Sequence, residues 1–256
     1  MAEASTGKRR LPPPLPPERR TVGQAVAETI RLYGARFIAA LPIGLVVAIV
    51  NQVTIGRSRA VVTLILLIAA PLFTFAFAYA ARLSSTEPVS AGAWLVALVV
   101  GTLVFVPAAL TFPWFAIASV LWLALTGLSV PAAMREGASV TRAFRRGVEL
   151  ARAGYVHVAG TFLTLAAVFA LTRWMLALVL ESQADNTTRT AIFLADTVVS
   201  PVLFLGGALV YVDQDARLRS RARGTGRKER DADVPDAHDV DREGRADAAR
   251  EPGPAA

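Results

Sequence analysis

Two residues of opposite charge, Arg173 and Asp196, stand inside long apolar runs of the sequence. Arg173 lies eight residues before Glu181, and Asp196 follows Arg189 by seven residues. On two antiparallel helices, both would lie about 10–12 Å from the same end, where a lone charge in hydrocarbon costs about 2.5–3.5 kcal/mol. We therefore predict that the two side chains pair. The pair would serve either as a structural lock, which we favour, or as a substrate or proton site.

Three polar residues, Asn51, Gln52 and Thr54, end the first apolar run. They either line a cavity or mark the membrane interface. Interfacial polar residues are the commoner case, so we favour the second interpretation.

Patterns that would indicate catalysis or metal binding are missing from the sequence. It contains no cysteine and two histidines, His157 and His238, which excludes thiol chemistry and makes a histidine-based metal site unexpected. No GxxxxGKS/T, GxSxG or HExxH pattern occurs, and no apolar run carries two carboxylates. We therefore expect no enzyme activity, no cofactor and no metal.

Six apolar runs have the length that a helix needs to cross a membrane, about 20 residues. The composition agrees, because 54% of the residues are hydrophobic and the charges gather at both ends and in short islands. The run 91–133 has no charge and roughly twice the required length, and Pro113 and Trp114 indicate a break within it. We predict an all-α polytopic membrane protein with spans at 37–55, 60–81, 91–110, 114–133, 156–180 and 190–212.

The basic residues predict how these spans are oriented. With six spans, 23 of the 27 Lys and Arg residues fall on one side and three on the other, while Arg173 lies within a span. A single crossing over 91–133 would sharply reduce this asymmetry. Because Lys and Arg concentrate in cytoplasmic loops, we predict that both termini are cytoplasmic.

Composition also divides the chain into three parts. Residues 1–20 form a Pro-rich arm and residues 214–256 a charged tail, and we predict that both are disordered. Between them lies a membrane domain at 21–213. The preference for Arg over Lys, together with abundant Ala, is typical of a GC-rich bacterial genome, so we expect the cytoplasmic membrane of a bacterium.

Two segments next to spans, 22–37 and 140–155, have the pattern of amphipathic helices. In both, apolar residues share one face and charged residues the other, with Arg36 as the exception, and we predict that each helix lies in the plane of the cytoplasmic leaflet. Anionic lipid headgroups are the expected partner of the basic residues, whereas nucleic acid is not expected because aromatic residues are not interleaved with them. The predicted headgroup contacts are Arg142, Arg145, Arg146, Arg152, Arg217, Arg219, Arg221 and Arg223.

Two short patterns in the sequence resemble a known family. Before the fifth span stand Val130-Pro131, Glu136-Gly137, Ala143, Arg145-Arg146, Leu150 and Arg152, and after the sixth stand Asp215, Arg217 and Arg219. Over about residues 21–220 the chain resembles the bacterial six-helix proteins related to the glycerophosphoryl diester phosphodiesterase membrane domain. Tyr211 lies further upstream than that pattern leads one to expect. Neither histidine is followed by Arg-Gly, so the resemblance implies the membrane part without its hydrolase.

These observations lead to one expected function and one alternative. We expect a non-catalytic membrane scaffold, or an accessory protein that works beside a lipid-related or export partner. The alternative is a small transporter or lipid-handling protein that uses Arg173 and Asp196. An enzyme embedded in the membrane ranks third, because no nucleophile, base and metal ligands occur together.

Overall fold

A computed structural model describes residues 16–85, 88–137 and 139–233, with side chains as far as residue 223. The described chain is helical and contains no strand. A short 3-10 turn, Pro17–Arg19, precedes nine α-helices: α1 Val22–Ala35, α2 Phe37–Thr54, α3 Arg59–Leu83, α4 Ala91–Thr111, α5 Ala116–Thr126, α6 Ser129–Glu136, α7 Val140–Ala153, α8 Tyr155–Val179 and α9 Asp185–Asp233.

Six helical segments are long and apolar enough to cross a membrane, which confirms the predicted number. They are α2, α3, α4, α5 together with α6, α8, and the part Asp185–Arg223 of α9. The run 91–133 is divided as predicted, because the chain turns between Thr111 and Ala116. Across that turn the indole Nε1 of Trp122 donates to the carbonyl of Val104 at 2.9 Å, so α4 and α5 pack as a hairpin.

The fourth span is two helices rather than one, a feature that we did not predict. Pro131 has no N–H to donate to the carbonyl of Gly127, four residues earlier. Val130 donates to that carbonyl instead, at 3.2 Å, and the α-helical ladder is interrupted between α5 and α6. Gly137, with φ at 57°, then ends α6 in the left-handed conformation that glycine adopts without strain.

The described structure continues beyond both ends of the predicted membrane domain, 21–213. The chain does not leave helical structure at residue 214, because α9 continues to Asp233. It divides into two compact units, Met1–Ala216 and Arg217–Ala256. The last part of the predicted N-terminal arm is ordered, since Arg20 pairs with Asp213 at 2.9 Å. The predicted disorder of 1–15 and 234–256 falls outside the described residues.

Contacts near the ends of the helices divide the first unit into two ends. At one end Arg20 pairs with Asp213, and Arg135 donates to the carbonyl of Ser84 at 3.1 Å. We call this the basic end; it contains residues 20, 82–84, 134–137, 139–152 and 211–215. At the opposite end the guanidinium of Arg59 lies 5.3 Å from the ring centre of Trp114. Six crossings require this arrangement, because the first span then begins, and the last span stops, on the same side.

Glycine brings several helices of the first unit into close contact. A Cβ on Gly44 of α2 would collide with the backbone carbonyl of Thr197 in α9, and a Cβ on Gly101 of α4 would collide with the side chain of Thr74 in α3. Small residues are typical of helix interfaces in membranes, where packing rather than water exclusion drives association.

Candidate functional site

The structure brings Arg173 and Asp196 together at a junction of three helices. The Nη1 of Arg173, from α8, lies 2.8 Å from Oδ2 of Asp196, from α9. The amide of Asn51, from α2, donates to the same carboxylate oxygen at 2.9 Å. One oxygen of Asp196 therefore joins three helices, each of which was recognised in the sequence as a separate span.

This junction is asymmetric in its burial and its hydrogen bonding. Asp196 is fully buried, and its second oxygen, Oδ1, has no hydrogen-bond partner among the described residues. Arg173, by contrast, keeps 30% of its side chain exposed, and its guanidinium lies 5.8 Å from the ring centre of Phe169. The arginine thus faces the periphery of the bundle while the carboxylate lies behind it.

The polar residues at the end of the first span belong to this region. Asn51 contacts Asp196, so it takes part in the pair itself. The amide of Gln52 donates to the backbone carbonyl of Arg189 at 2.7 Å, and the hydroxyl of Thr54 donates to the carbonyl of Asn51. The Gln52 contact connects α2 to the start of α9, a role that neither of our two interpretations included, whereas the Thr54 contact lies within α2.

A second polar cluster, at the basic end, was not predicted. The hydroxyl of Tyr211, in α9, donates to Glu136 at 2.9 Å. Arg146, in α7, contacts the same Glu136 oxygen at 3.2 Å and Asp215 at 3.0 Å. The guanidinium of Arg135 lies 5.6 Å from the ring centre of Tyr211. This cluster, which we call the Arg146 network, joins α6, α7 and α9.

Arg146 is the central charge of this network. Its partial burial would by itself lower the pKa of the guanidinium, but hydrogen bonding and attraction to Glu136, with further attraction to Glu149 and Asp215, raise the pKa above its ordinary value. The charge of the side chain is therefore compensated by carboxylates of its own protein. Its predicted role as a lipid headgroup contact does not fit this geometry, because its donors point to Glu136 and Asp215.

The other three predicted contacts on α7 lie on its outer face, where Arg142, Arg145 and Arg152 are all exposed. The apolar face of α7 packs on protein: Ala143, Gly147, Leu150 and Ala151 are buried, and a Cβ on Gly147 would collide with Ser129 of α6. Here the structure differs from the predicted in-plane helix, because protein covers the face that such a helix would bury in lipid. An amphipathic pattern shows that one face avoids water, but it does not distinguish lipid from neighbouring helices.

The predicted position of α1 in the plane of the leaflet also differs from the structure. Its capping box, formed by Thr21 and Gln24, explains where the helix begins. Beyond it, Thr29 packs on Gly206 of α9, and the hydroxyl of Tyr33 donates to the carbonyl of Val198 at 2.6 Å. With the Arg20–Asp213 pair, these contacts follow α9 over about 22 Å. The helix therefore packs lengthwise on the sixth span.

The remaining predicted headgroup contacts belong to the second unit. Arg219, Arg221 and Arg223 are exposed on α9, and Arg217 is half-buried. Their contact with anionic lipid stays a prediction. Within the described residues, no three His, Asp or Glu side chains are grouped so that they could hold a metal ion.

No protein-family model, curated protein or solved structure matches this chain. The family resemblance seen in the sequence therefore stays a prediction. The structure nevertheless connects the two patterns on which it rests, because Glu136 and Arg146 belong to the first pattern and Asp215 to the second. Charges of opposite sign near the ends of neighbouring elements could have suggested this contact, but the sequence offers several equivalent arginines.

Proposed function

We propose that this chain is a non-catalytic scaffold or accessory protein of a bacterial cytoplasmic membrane, and that it works beside a lipid-related or export partner. One observation carries the proposal. Two sets of charged groups in and next to the spans are paired across helices: Arg173 with Asp196, and Arg146 with Glu136 and Asp215. Side chains that are paired in this way stabilise one arrangement of the helices. A fixed arrangement of helices presents a surface that a partner protein can recognise.

We further propose that the basic end faces the cytoplasm, so that both termini lie there. The distribution of Lys and Arg supports this orientation. In this position Arg142, Arg145 and Arg152 would point from α7 toward the level of anionic headgroups. Lipid headgroups would then contact the outer face of α7, while its inner face packs on α6.

A second candidate function is a small transporter or lipid-handling protein that uses the Arg173–Asp196 pair. The observation in its favour is the buried Oδ1 of Asp196, which has no hydrogen-bond partner in the described chain. A pair that served only as a lock would gain from satisfying both oxygens, because an unpaired buried acceptor costs about 1–3 kcal/mol.

A charge exchange distinguishes the two candidates. Arg173→Asp and Asp196→Arg should each lower the amount of protein in the membrane, because each leaves two like charges in contact. The double variant restores the opposite charges. If the pair is a lock, the double variant regains both the protein level and the cellular function. Recovery of the level without recovery of the function would favour the second candidate.

A further inference from the structure

The Arg173–Asp196 pair leaves most of the arginine's hydrogen-bonding capacity unused. A guanidinium has five N–H donors, and within the described chain Arg173 engages one of its nitrogens, Nη1, with Asp196. The side chain is 30% exposed at the periphery of the bundle. Arg173 therefore presents donors outward from a helix that is long and apolar enough to cross a membrane.

Asp196 does not depend on Arg173 alone. The amide of Asn51 donates to the same carboxylate oxygen, so the carboxylate keeps one donor if the arginine moves away. Contact through a single nitrogen is weaker and less directional than the two parallel hydrogen bonds of a bidentate pair. The arrangement thus permits Arg173 to exchange one anionic partner for another.

The surface around Arg173 is apolar, and the position along α8 is near the end of the span. Leu171, Trp174, Met175 and Leu178 of α8 are exposed. Arg173 precedes the end of the helix at Val179 by six residues, or about 9 Å. A long arginine side chain in this position can extend toward the interface while its methylene groups stay in apolar surroundings.

We propose that Arg173 binds the phosphate group of an anionic amphiphile in the surrounding leaflet, with Asp196 as the resident counter-ion that the phosphate replaces. The phosphate fits because a guanidinium binds its oxygens through parallel hydrogen bonds. The apolar side chains around Arg173 favour a lipid-like molecule over free phosphate. The inference rests on the second candidate function, lipid handling at this pair.

The experiment uses the full chain in dodecyl maltoside micelles. Dodecyl phosphate is the probe, inorganic phosphate tests for a water-soluble source, and dodecanol is the uncharged control; binding is measured by native mass spectrometry. We expect dodecyl phosphate to bind and Arg173→Gln to lose this binding. Asp196→Asn, which removes the competing charge, should bind the probe at least about fivefold more tightly, within the usual range of coupling between two sites.

A second variant keeps both charges. Asn51→Leu removes the other donor to Asp196, so the carboxylate holds Arg173 more strongly and the probe should bind less tightly than it binds wild type. A purely structural role predicts no such opposite shifts. If gel filtration shows that Asp196→Asn does not fold, the affinities of Asn51→Leu and Arg173→Gln for the probe test the inference.

Three results would overturn the inference: wild-type affinity in Arg173→Gln, unchanged affinity in folded Asn51→Leu, or equal binding of dodecanol. Binding of inorganic phosphate as tight as that of dodecyl phosphate would overturn the assignment to an amphiphile. The binding site and the second candidate function can fail separately. Binding with no movement of lipid between leaflets of proteoliposomes would preserve the site and exclude transport.

Discussion

Replacing Gly147 by alanine should loosen α7 from the rest of the bundle. A Cβ at this position would collide with Ser129 of α6, including its backbone nitrogen and Cα. Backbone atoms of a packed helix cannot rotate away, so the two helices must separate. Overpacking of this kind costs typically 1–3 kcal/mol, about 3 kcal/mol where backbone obstructs. Alanine has a helix propensity about 1 kcal/mol more favourable than glycine. The expected net decrease in the free energy of unfolding is therefore about 2 kcal/mol.

Gly34→Ala is the matched control, because it makes the same chemical change in α1, where a Cβ would meet no atom within 4 Å. Unfolding of both variants is followed by circular dichroism during titration of dodecyl maltoside micelles with sodium dodecyl sulfate. Gly34→Ala should be as stable as wild type or slightly more stable. If Gly147→Ala proved as stable as Gly34→Ala, the packing of α7 on α6 described above would be refuted.

Three further predictions concern the basic end and the orientation. Arg146→Gln should lower the free energy of unfolding by only about 1 kcal/mol, because the Arg146 network is partly exposed to solvent. The same titration with sodium dodecyl sulfate measures this loss of stability. If the loss did not become smaller in 1 M NaCl, an ionic cause would be contradicted. Replacing Arg142, Arg145 and Arg152 by Gln should weaken the preference for anionic lipid by about 1 kcal/mol per residue. Quenching of tryptophan fluorescence by brominated phosphatidylglycerol, compared with brominated phosphatidylcholine, measures this preference. Arg146→Gln is the control and should leave the preference unchanged. Reporter fusions at residues 58, 112 and 185 should report the outside of the cytoplasmic membrane, and a cytoplasmic signal from residue 112 would contradict the proposed orientation.

The spans and the Arg173–Asp196 pair were predictable because they follow from the cost of charge in hydrocarbon. A run without charge and about 20 residues long has few alternatives to a membrane helix, and the break at Pro113 and Trp114 follows from proline chemistry. Arg173 and Asp196 were recognised because each would be costly alone. Asn51 was noticed as polar, but nothing in the sequence showed that it would donate to Asp196.

What lies against the apolar face of a helix was not predictable in the same way. The pattern of α7 suits a leaflet and a neighbouring helix equally, and the structure places α6 there. The small residues of that face, Ala143, Gly147 and Ala151, were a signal in favour of protein, because small side chains allow two backbones to approach closely. The Arg146 network depends on which of several arginines faces Glu136, and that choice is made by tertiary packing.

The separation of the fourth span into α5 and α6 shows a further limit. Pro131 was visible in the sequence, but proline in a membrane helix can kink the helix or interrupt it, depending on whether neighbouring groups satisfy the freed carbonyl. Here the N–H of Val130 does so through a shorter turn. The outcome depends on local hydrogen bonding, which the hydrophobic periodicity of the sequence does not reveal.

The central claim, a scaffold whose polar pairs serve its shape, is tested most directly by native mass spectrometry of the protein extracted with its own membrane. We predict a partner protein in fixed stoichiometry, retained equally by wild type and by the variant in which Arg173 and Asp196 are exchanged. The absence of a stoichiometric partner in wild type would contradict the claim. So would an exchanged variant that is present at the wild-type level and has lost the partner.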